Sequence, residues 1–407
     1  MAINNWFEQP GNYIDIIKHL GISQARYLSW ITSIKKVFPE SWIEKKVEEY
    51  ESKRFFKTYG FHIELLPGIF RSLLYNPIPV ILGGVGVGGG YWALSNVIHL
   101  GQLIQAVKDE SGAGNKFRDL RGGPSKYIST LFELEVLATF KACGFSLKKP
   151  METDGLDFTF EKDNKEIHIE ATHRGVSWII YLWEKISHKL LLRGVFREHS
   201  NFSISVTLNY SLLKDLHDNY PDALEGVVDE IIENIVKLKN SRLEGFEDPK
   251  GNYSISVEYS TKRELDIQWH DPTDLAYESK QLLEGRLTDK RKLRQLLRNP
   301  GSYCAVDMRS LMPPVFAKNN GNTNYESCSR FLKGWLSCAG QFFKDNPEVG
   351  GIFIWICHFG RIRDDILDNM NLDEIILINA PNHLSDEESS KLFPFATLPQ
   401  NLVWYRR

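Results

Sequence analysis

One stretch of twenty residues, DGLDFTFEKDNKEIHIEATH, constrains the fold more than any other part of the sequence. Apolar and polar residues alternate on both sides of a central Asp-Asn pair, which is typical of two β-strands joined by a tight turn. Asp163 and Asn164 tolerate the left-handed backbone conformation that a two-residue hairpin loop requires. The sequence therefore predicts a hairpin with its turn at these two residues.

The predicted turn decides which side chains face each other across the hairpin. Lys162 pairs with Lys165, and the same register places Asp157 opposite Glu170, on the face without the aliphatic side chains. Directly opposed residues have Cβ atoms roughly 5 Å apart, and two ionised carboxylates about 4 Å apart repel by about 4 kcal/mol at an effective dielectric constant near 20. Full solvation, a proton on one acid or a cation between them relieves this repulsion. Since hard divalent cations prefer carboxylate oxygens, the hairpin indicates either a solvated edge or a metal site.

The segment before the hairpin supplies a third acid. Apolar residues three and four apart predict a helix over KYISTLFELEVLATFKAC, with Ser125 as N-cap and Gly144 just past its end. At about 100° per residue, Glu135 falls among the apolar residues and Glu133 falls beside polar ones. Helix phase thus makes Glu135 the buried acid, while either glutamate can reach the hairpin.

A helix that carries a glutamate, followed by a hairpin with an aspartate on one strand and a glutamate on the next, resembles the core of the PD-(D/E)XK nuclease superfamily. That superfamily has the restriction-endonuclease-like fold. The matching stretches are LFELEVLATFKACGF, DGLD and IHIEATH, and they are most similar to the Mrr-type and resolvase-like branches. The resemblance covers about 126–208 and implies an α/β core with a mixed sheet flanked by helices. The spacing between glutamate and terminal glycine in those branches favours Glu133 as the site residue, with Glu135 as the alternative.

The resemblance implies a metal-dependent endonuclease that hydrolyses phosphodiester bonds in DNA. It assigns Asp157, Glu170 and the Ala171 carbonyl as ligands of Mg²⁺ or Mn²⁺, with Glu133 helping to hold the metal or its water. Such a metal lowers the pKa of bound water and neutralises charge that develops on the phosphate. The implied partner is nucleic acid, DNA rather than RNA, and the implied setting is genome defence. A homodimer is a further option, because many enzymes of this fold dimerise to cut both strands.

Thr172 is the main departure from the family's pattern, because a lysine normally stands two residues after the glutamate. Threonine cannot carry the positive charge that orients the water and stabilises the transition state. One interpretation is that the lysine has moved to a later helix, at Lys189 or its neighbour Lys185, or at Lys292 if a later helix closes the core. The other is a catalytically inactive protein that binds nucleic acid or a protein partner. His173 is a further candidate donor.

The length of the chain predicts more than one domain. Residues 1–115 are predicted to form a helical N-terminal domain, and 116–407 a nuclease-like α/β domain with an insertion at about 210–285. The strand FSISVTL is expected to follow the hairpin in the core. However, KRKLRQLLRNPGSYCAVDM also resembles the helix and strand that follow the third core strand in this superfamily, so the core could instead close there.

A glycine-rich stretch near residue 85 admits three interpretations. Gly84, Gly86 and Gly89 fit the dinucleotide-binding fingerprint, but no βαβ unit follows. The stretch is also long enough for a membrane span, although its prolines, asparagines and glycines argue against one. We prefer a glycine-rich loop that leads into a buried helix, and keep a nucleotide-responsive protein as a third hypothesis.

Net charge, cysteine spacing and the N-terminal sequence limit which partners and which cellular compartment we expect for the protein. A net charge of -3 creates no global basic field, so contacts with phosphate must come from local patches. The five cysteines show no C-x-x-C spacing, which predicts reduced core thiols. The N-terminus lacks a signal-peptide pattern, so we expect a cytoplasmic protein with no membrane partner.

Basic residues are concentrated on two predicted helices, which are the candidate local patches for contact with phosphate. They are Lys185, His188, Lys189, Arg193 and Arg197 on one helix, and Lys290, Arg291, Lys292, Arg294 and Arg298 on the other.

Overall fold

The computed structural model describes residues 22–39, 41–42, 45, 90–122, 124–148, 156–173, 182, 186, 189–190, 203–219, 222–258, 265–269, 272–309, 325–357 and 373–402. The fingerprint glycines Gly84, Gly86 and Gly89 lie outside these residues, as does Lys185, so the nucleotide hypothesis stays a prediction. Within the described ranges, no helix is both long enough and apolar enough to cross a membrane.

The described part of the chain begins with helices. They are α1 (Gln24–Val37), α2 (Gly90–Val107), α3 (Ala113–Leu120) and α4 (Pro124–Ala142). Helix α4 is the predicted acid-bearing helix. It begins at Pro124 because proline suits the first helical position, where its missing N–H is not needed. Ser125 is therefore the second residue of the helix, and its prediction as N-cap is wrong. It ends as predicted, since Gly144 adopts a φ of +85° that glycine reaches without strain.

The hairpin forms with the predicted turn and register. The first strands are β1 (Ser146–Leu147), β2 (Phe158–Lys162) and β3 (Lys165–Thr172). Asp163 and Asn164 have φ values of 51° and 60°, as a type I′ turn requires. Lys162 pairs with Lys165 along an antiparallel ladder, which confirms the register that sets Asp157 opposite Glu170.

The next elements build a separate, smaller sheet. They are β4 (Ser203–Leu208), α5 (Tyr210–Asp218), α6 (Asp222–Ser241), β5 (Gly245–Glu247), β6 (Tyr253–Glu258) and β7 (Leu265–Trp269). The strand order is β5-β6-β4-β7. The expectation that FSISVTL follows the hairpin in the core is therefore wrong, because β4 lies between β6 and β7 in this second sheet.

The chain then returns to the first sheet. The remaining elements are α7 (Pro272–Leu287), α8 (Lys290–Leu297), β8 (Tyr303–Asp307), α9 (Tyr325–Asp345), β9 (Gly351–Cys357), β10 (Asp373–Asn379), α10 (Asp386–Leu392) and a 3₁₀ turn (Pro399–Asn401). The first sheet has the order β1-β2-β3-β8-β9-β10, with β8 parallel to β3 and to β9. The fold is thus α/β, with a mixed six-stranded sheet flanked by helices. Of the two strands predicted as the one that follows the hairpin in the sheet, it is β8 that pairs with β3.

Alternating side chains of this sheet enter two apolar cores. Ile169, Tyr303 and Phe353 face the core shared with α4 and the N-terminal helices, whereas Cys304 and Ile352 face the core shared with the second sheet and α9. This is the pattern expected of strands buried on both faces. A glutamate of β3 that faces the second core must therefore find a polar partner.

The N-terminal helices and the sheet share one continuous core. Trp30 of α1 and Ile98 of α2 belong to the same buried cluster as Phe132 of α4 and Phe158 of β2. The domain boundary predicted near residue 115 stays a prediction. Among the cysteines with described side chains, Cys143, Cys304 and Cys338 are free thiols, of which the last two are buried, in line with the predicted reduced core.

Candidate active site

The two hairpin carboxylates are interlocked through the backbone. Asp157 precedes β2, and its N–H donates to Glu170 Oε2 at 3.3 Å. The N–H of Ala171 in turn donates to Asp157 Oδ2 at 2.9 Å. Asp157 is 9% exposed and Glu170 is 0% exposed. The solvated edge is therefore excluded for Glu170, and a buried pair of acids needs a cation or a proton.

A cation does lie between the two acids, and it is the ammonium of Lys292. Helix α8 packs against β3 and carries Lys292 to the hairpin. The Lys292 Nζ lies 3.3 Å from Asp157 Oδ2, donates to the Ala171 carbonyl at 3.0 Å and forms an ion pair with Glu170 Oε1. Three of the four residues predicted to hold a metal, all except Glu133, thus direct oxygen atoms at one positive charge.

Lys292 is the lysine that the structure brings to the acids. Lys189 instead forms an ion pair with Glu225 of α6 and has no contact with Asp157 or Glu170 among those described. Its catalytic role stays a prediction, and Lys292 occupies the position beside the acids. The physical reason is the order of the sheet: β8 is the neighbour of β3, so the helix directly before β8 faces the site. Thr172 is buried at the end of β3, opposite Val306, and supplies no charge.

The proximity of the charged groups shifts their proton affinities. Burial, reinforced by the charge of Asp157, raises the pKa of Glu170 to about 8, and Lys292 opposes this shift. Burial alone would lower the pKa of Lys292, but the charges of Asp157 and Glu170 raise it above its usual value. The ammonium is therefore firmly charged, and Glu170 takes up a proton more readily than an ordinary glutamate does.

Glu133 of α4 lies near enough to Asp157 for the two charges to interact. Burial and then the charge of Asp157 raise the pKa of Glu133, while the nearby charges of Lys116 and Lys292 lower it. Lys116 of α3 approaches Glu133 Oε2 to 2.5 Å, and each side chain is 14% exposed. Of the two candidate glutamates, Glu133 is thus the one near the hairpin acids. Lys116 was not anticipated, because it lies on a separate helix with no motif spacing to mark it.

Glu135 is buried as helix phase predicts, but it belongs to a second charged network. Its carboxylate contacts His99 Nε2 at 2.7 Å and the Arg309 guanidinium at 2.5 Å. Arg309 also donates to Asp307 Oδ1 at 2.9 Å, and His173 Nδ1 lies 2.9 Å from Asp307 Oδ2. The network ties α2 and α4 to the ends of β3 and β8, so His173 has a partner of its own and no contact with Lys292 among those described.

The oxygen atoms around Lys292 suit a hard divalent cation. Two carboxylates and a carbonyl match Mg²⁺ or Mn²⁺, which prefer oxygen ligands, since Mg²⁺ usually keeps several waters beside one or two carboxylates. In the part of the chain that the structure describes, no three His, Cys, Asp or Glu side chains gather as a metal-binding group. Glu133 contacts Lys116 rather than the pair, so the fit is to Asp157, Glu170 and Ala171.

Comparisons of the chain with protein-family models, with characterised proteins and with solved structures find no match. The assignment of a function therefore depends on the chemistry of this site.

Proposed function

We propose that the protein is an endonuclease that hydrolyses phosphodiester bonds in DNA with Mg²⁺ or Mn²⁺ as cofactor. One observation carries the proposal: Asp157, Glu170 and the Ala171 carbonyl direct oxygen atoms at a single cationic point, held by the Lys292 ammonium. A buried cluster with excess negative charge is a site prepared for a cation. Two carboxylates share the single charge of one ammonium, so the site has the capacity to bind a charge greater than one.

The order of the elements supports a restriction-endonuclease-like core. Helix α4 is followed by the antiparallel strands β1, β2 and β3, and α8 then leads into β8, which is parallel to β3. This order is the one that the resemblance to the PD-(D/E)XK superfamily implies. In this interpretation, the second sheet is an insertion between β3 and α8, and it begins at or before β4.

Each residue of the site has a role in such a reaction. Asp157, Glu170 and the Ala171 carbonyl would hold the divalent cation, which supplies a water of lowered pKa and positive charge beside the phosphate. Lys292 would then donate its hydrogen bonds to a phosphate oxygen, supplying the charge that Thr172 lacks. Glu133, close to Asp157 and with a raised pKa, can accept a proton from the attacking water.

The same ammonium favours a second function. If Lys292 never leaves the acids, its ammonium permanently occupies the position of the divalent metal. The ion pairs of Lys292 with Asp157 and Glu170 then stabilise the fold and catalyse nothing. The protein would then bind nucleic acid or a protein partner without cutting. The two functions differ in whether a divalent cation competes with the lysine.

Plasmid cleavage in Mg²⁺ or Mn²⁺ tests the proposal. The wild-type protein is compared with Glu170→Gln, which keeps the shape of the side chain, and with Glu258→Gln, which changes an exposed glutamate of the second sheet. Cleavage by wild type and Glu258→Gln, with a loss of at least a hundredfold in Glu170→Gln, is the expected result. Cleavage that survives in Glu170→Gln would contradict the assigned site. If wild type does not cut and Mn²⁺ leaves its unfolding midpoint unchanged, the nuclease proposal fails and the second function is favoured.

A further inference from the structure

The helix that delivers Lys292 presents a basic stripe to solvent. The stripe consists of Lys290, Arg291, Arg294 and Arg298, all exposed. At about 100° per residue, these four residues fall within a sector of roughly 100°. The opposite side of α8 carries the buried Leu296, so the helix is anchored by one face and displays its charge on the other.

Most of the charge of this basic stripe is available to a partner. Within the described residues, Lys290, Arg291 and Arg298 have no carboxylate partner. Arg294 donates its Nε–H to the Lys290 carbonyl, so its two terminal nitrogens are available to donate to a partner. Asp289, the acid at the start of the helix, accepts hydrogen bonds from the helix backbone as its N-cap. Four like charges on one exposed face attract an anionic partner more strongly than isolated charges do.

The dimensions of the stripe match a nucleic-acid backbone. Eight residues separate Lys290 from Arg298, which is about 12 Å along a helix, and DNA carries one phosphate per 3.4 Å of axis on each strand. The stripe therefore spans roughly three phosphates. Lys292 lies on the same helix but about 100° further round its axis than Arg291, on the side that packs against the acids.

We propose that the basic stripe of α8 binds the phosphate backbone of duplex DNA and thereby holds the duplex against the helix that carries Lys292. This inference deepens the proposed function and depends on it for the identity of the ligand. Arginine suits this role, since its planar guanidinium donates paired hydrogen bonds to phosphate. Contacts to phosphate position a duplex without reading its sequence.

The test is the salt dependence of DNA binding. A fluorescent 20-base-pair duplex is titrated with the full-length protein in EDTA at several KCl concentrations, and the slope of log K against log salt is measured by anisotropy. The triple variant Arg291→Gln, Arg294→Gln and Arg298→Gln removes up to three phosphate contacts. Its slope is expected to be shallower by about 2.7, since each contact contributes about 0.9.

A matched control separates the stripe from net charge. Lys214→Gln, Lys237→Gln and Lys250→Gln together remove the same charge from exposed positions on other elements, and this variant is expected to keep the wild-type slope. Equal slopes in the two triple variants, or no binding by the wild-type protein, would overturn the inference. Binding in EDTA does not require cleavage, so failure here is distinct from failure of the Glu170→Gln experiment.

Discussion

The ammonium of Lys292 lies 3.0 Å from the carbonyl oxygen of Ala171, although 121 residues separate them in the chain. The contact exists because β8 pairs in parallel with β3 and the short helix α8 leads directly into β8. The whole second sheet lies between the two residues in the sequence. The hairpin thus supplies the acids locally, and the return of the chain to the first sheet supplies their counter-charge.

Replacing Lys292 by methionine is expected to destabilise the protein by about 3–5 kcal/mol at neutral pH without metal. The change keeps the aliphatic stem but leaves Asp157 and the buried Glu170 without their cation, and an unpaired buried charge is costly. Urea unfolding measures the difference. The control is Lys290→Met on the exposed side of the same helix, where a change of less than about 0.5 kcal/mol is expected. Similar losses in both variants would refute the stabilising role of the ion cluster.

Manganese is expected to rescue the Lys292→Met variant more than it stabilises the wild-type protein. In the variant the divalent cation no longer competes with an ammonium for the oxygen atoms of Asp157, Glu170 and Ala171. A ligand at a hundred times its Kd stabilises the folded state by about 2.7 kcal/mol. The measurement is the thermal unfolding midpoint with and without Mn²⁺. A midpoint of the variant that does not respond to Mn²⁺ would show that these oxygen atoms do not form a metal site.

Glu170→Gln is expected to change how stability depends on pH. The folded protein holds the proton of Glu170 up to a pKa of about 8, whereas an unfolded glutamate releases it near pH 4.3. The metal-free wild-type protein therefore loses stability as pH rises between these two values. In this range the unfolded glutamate ionises freely, whereas the folded protein either holds the proton on Glu170 or buries its charge.

The glutamine variant has no such titration. Relative to wild type, its free energy of unfolding should rise by on the order of 2–4 kcal/mol between pH 5 and pH 9. Urea unfolding in EDTA at pH 5, 7 and 9 provides the comparison. Glu258→Gln should show one constant offset from wild type at all three pH values. A constant offset for Glu170→Gln as well would mean that the acid is not titrating in this window.

Arg309→Met is expected to destabilise the protein by about 3 kcal/mol near pH 7. Burial favours the neutral forms of Glu135 and Asp307, but the charge of Arg309, with the contacts from His99 and His173, lowers the pKa of both acids. Their ionised forms stabilise the fold above the pKa of the unfolded chain, and this contribution is lost as pH falls.

The variant should therefore differ from wild type most at neutral pH and least at acid pH. Urea unfolding at pH 3 and pH 7 measures this convergence. Arg298→Met, at an exposed position, serves as the control and should differ little at either pH. A difference for Arg309→Met that is equal at both pH values would show that the guanidinium acts through packing rather than through its charge.

The amino-acid sequence by itself determined the local features of this protein. The Asp163-Asn164 pair specifies a left-handed turn, the turn specifies the register, and the register sets Asp157 opposite Glu170. These features follow from backbone conformations and side-chain alternation that act over a few residues. The end of α4 at Gly144 is equally local.

Only the tertiary structure decided which cations meet the acids. Lys292 was one of three candidate lysines, and nothing in its spacing ranked it above Lys189. Lys116 could not be identified at all, because the packing of α3 on α4 brings it to Glu133. Parallel pairing of β3 with β8 is selected by the burial of both faces of the sheet in two large cores. The free energy of this burial comes from residues throughout the chain. Such long-range burial leaves no signature in the sequence around any one residue.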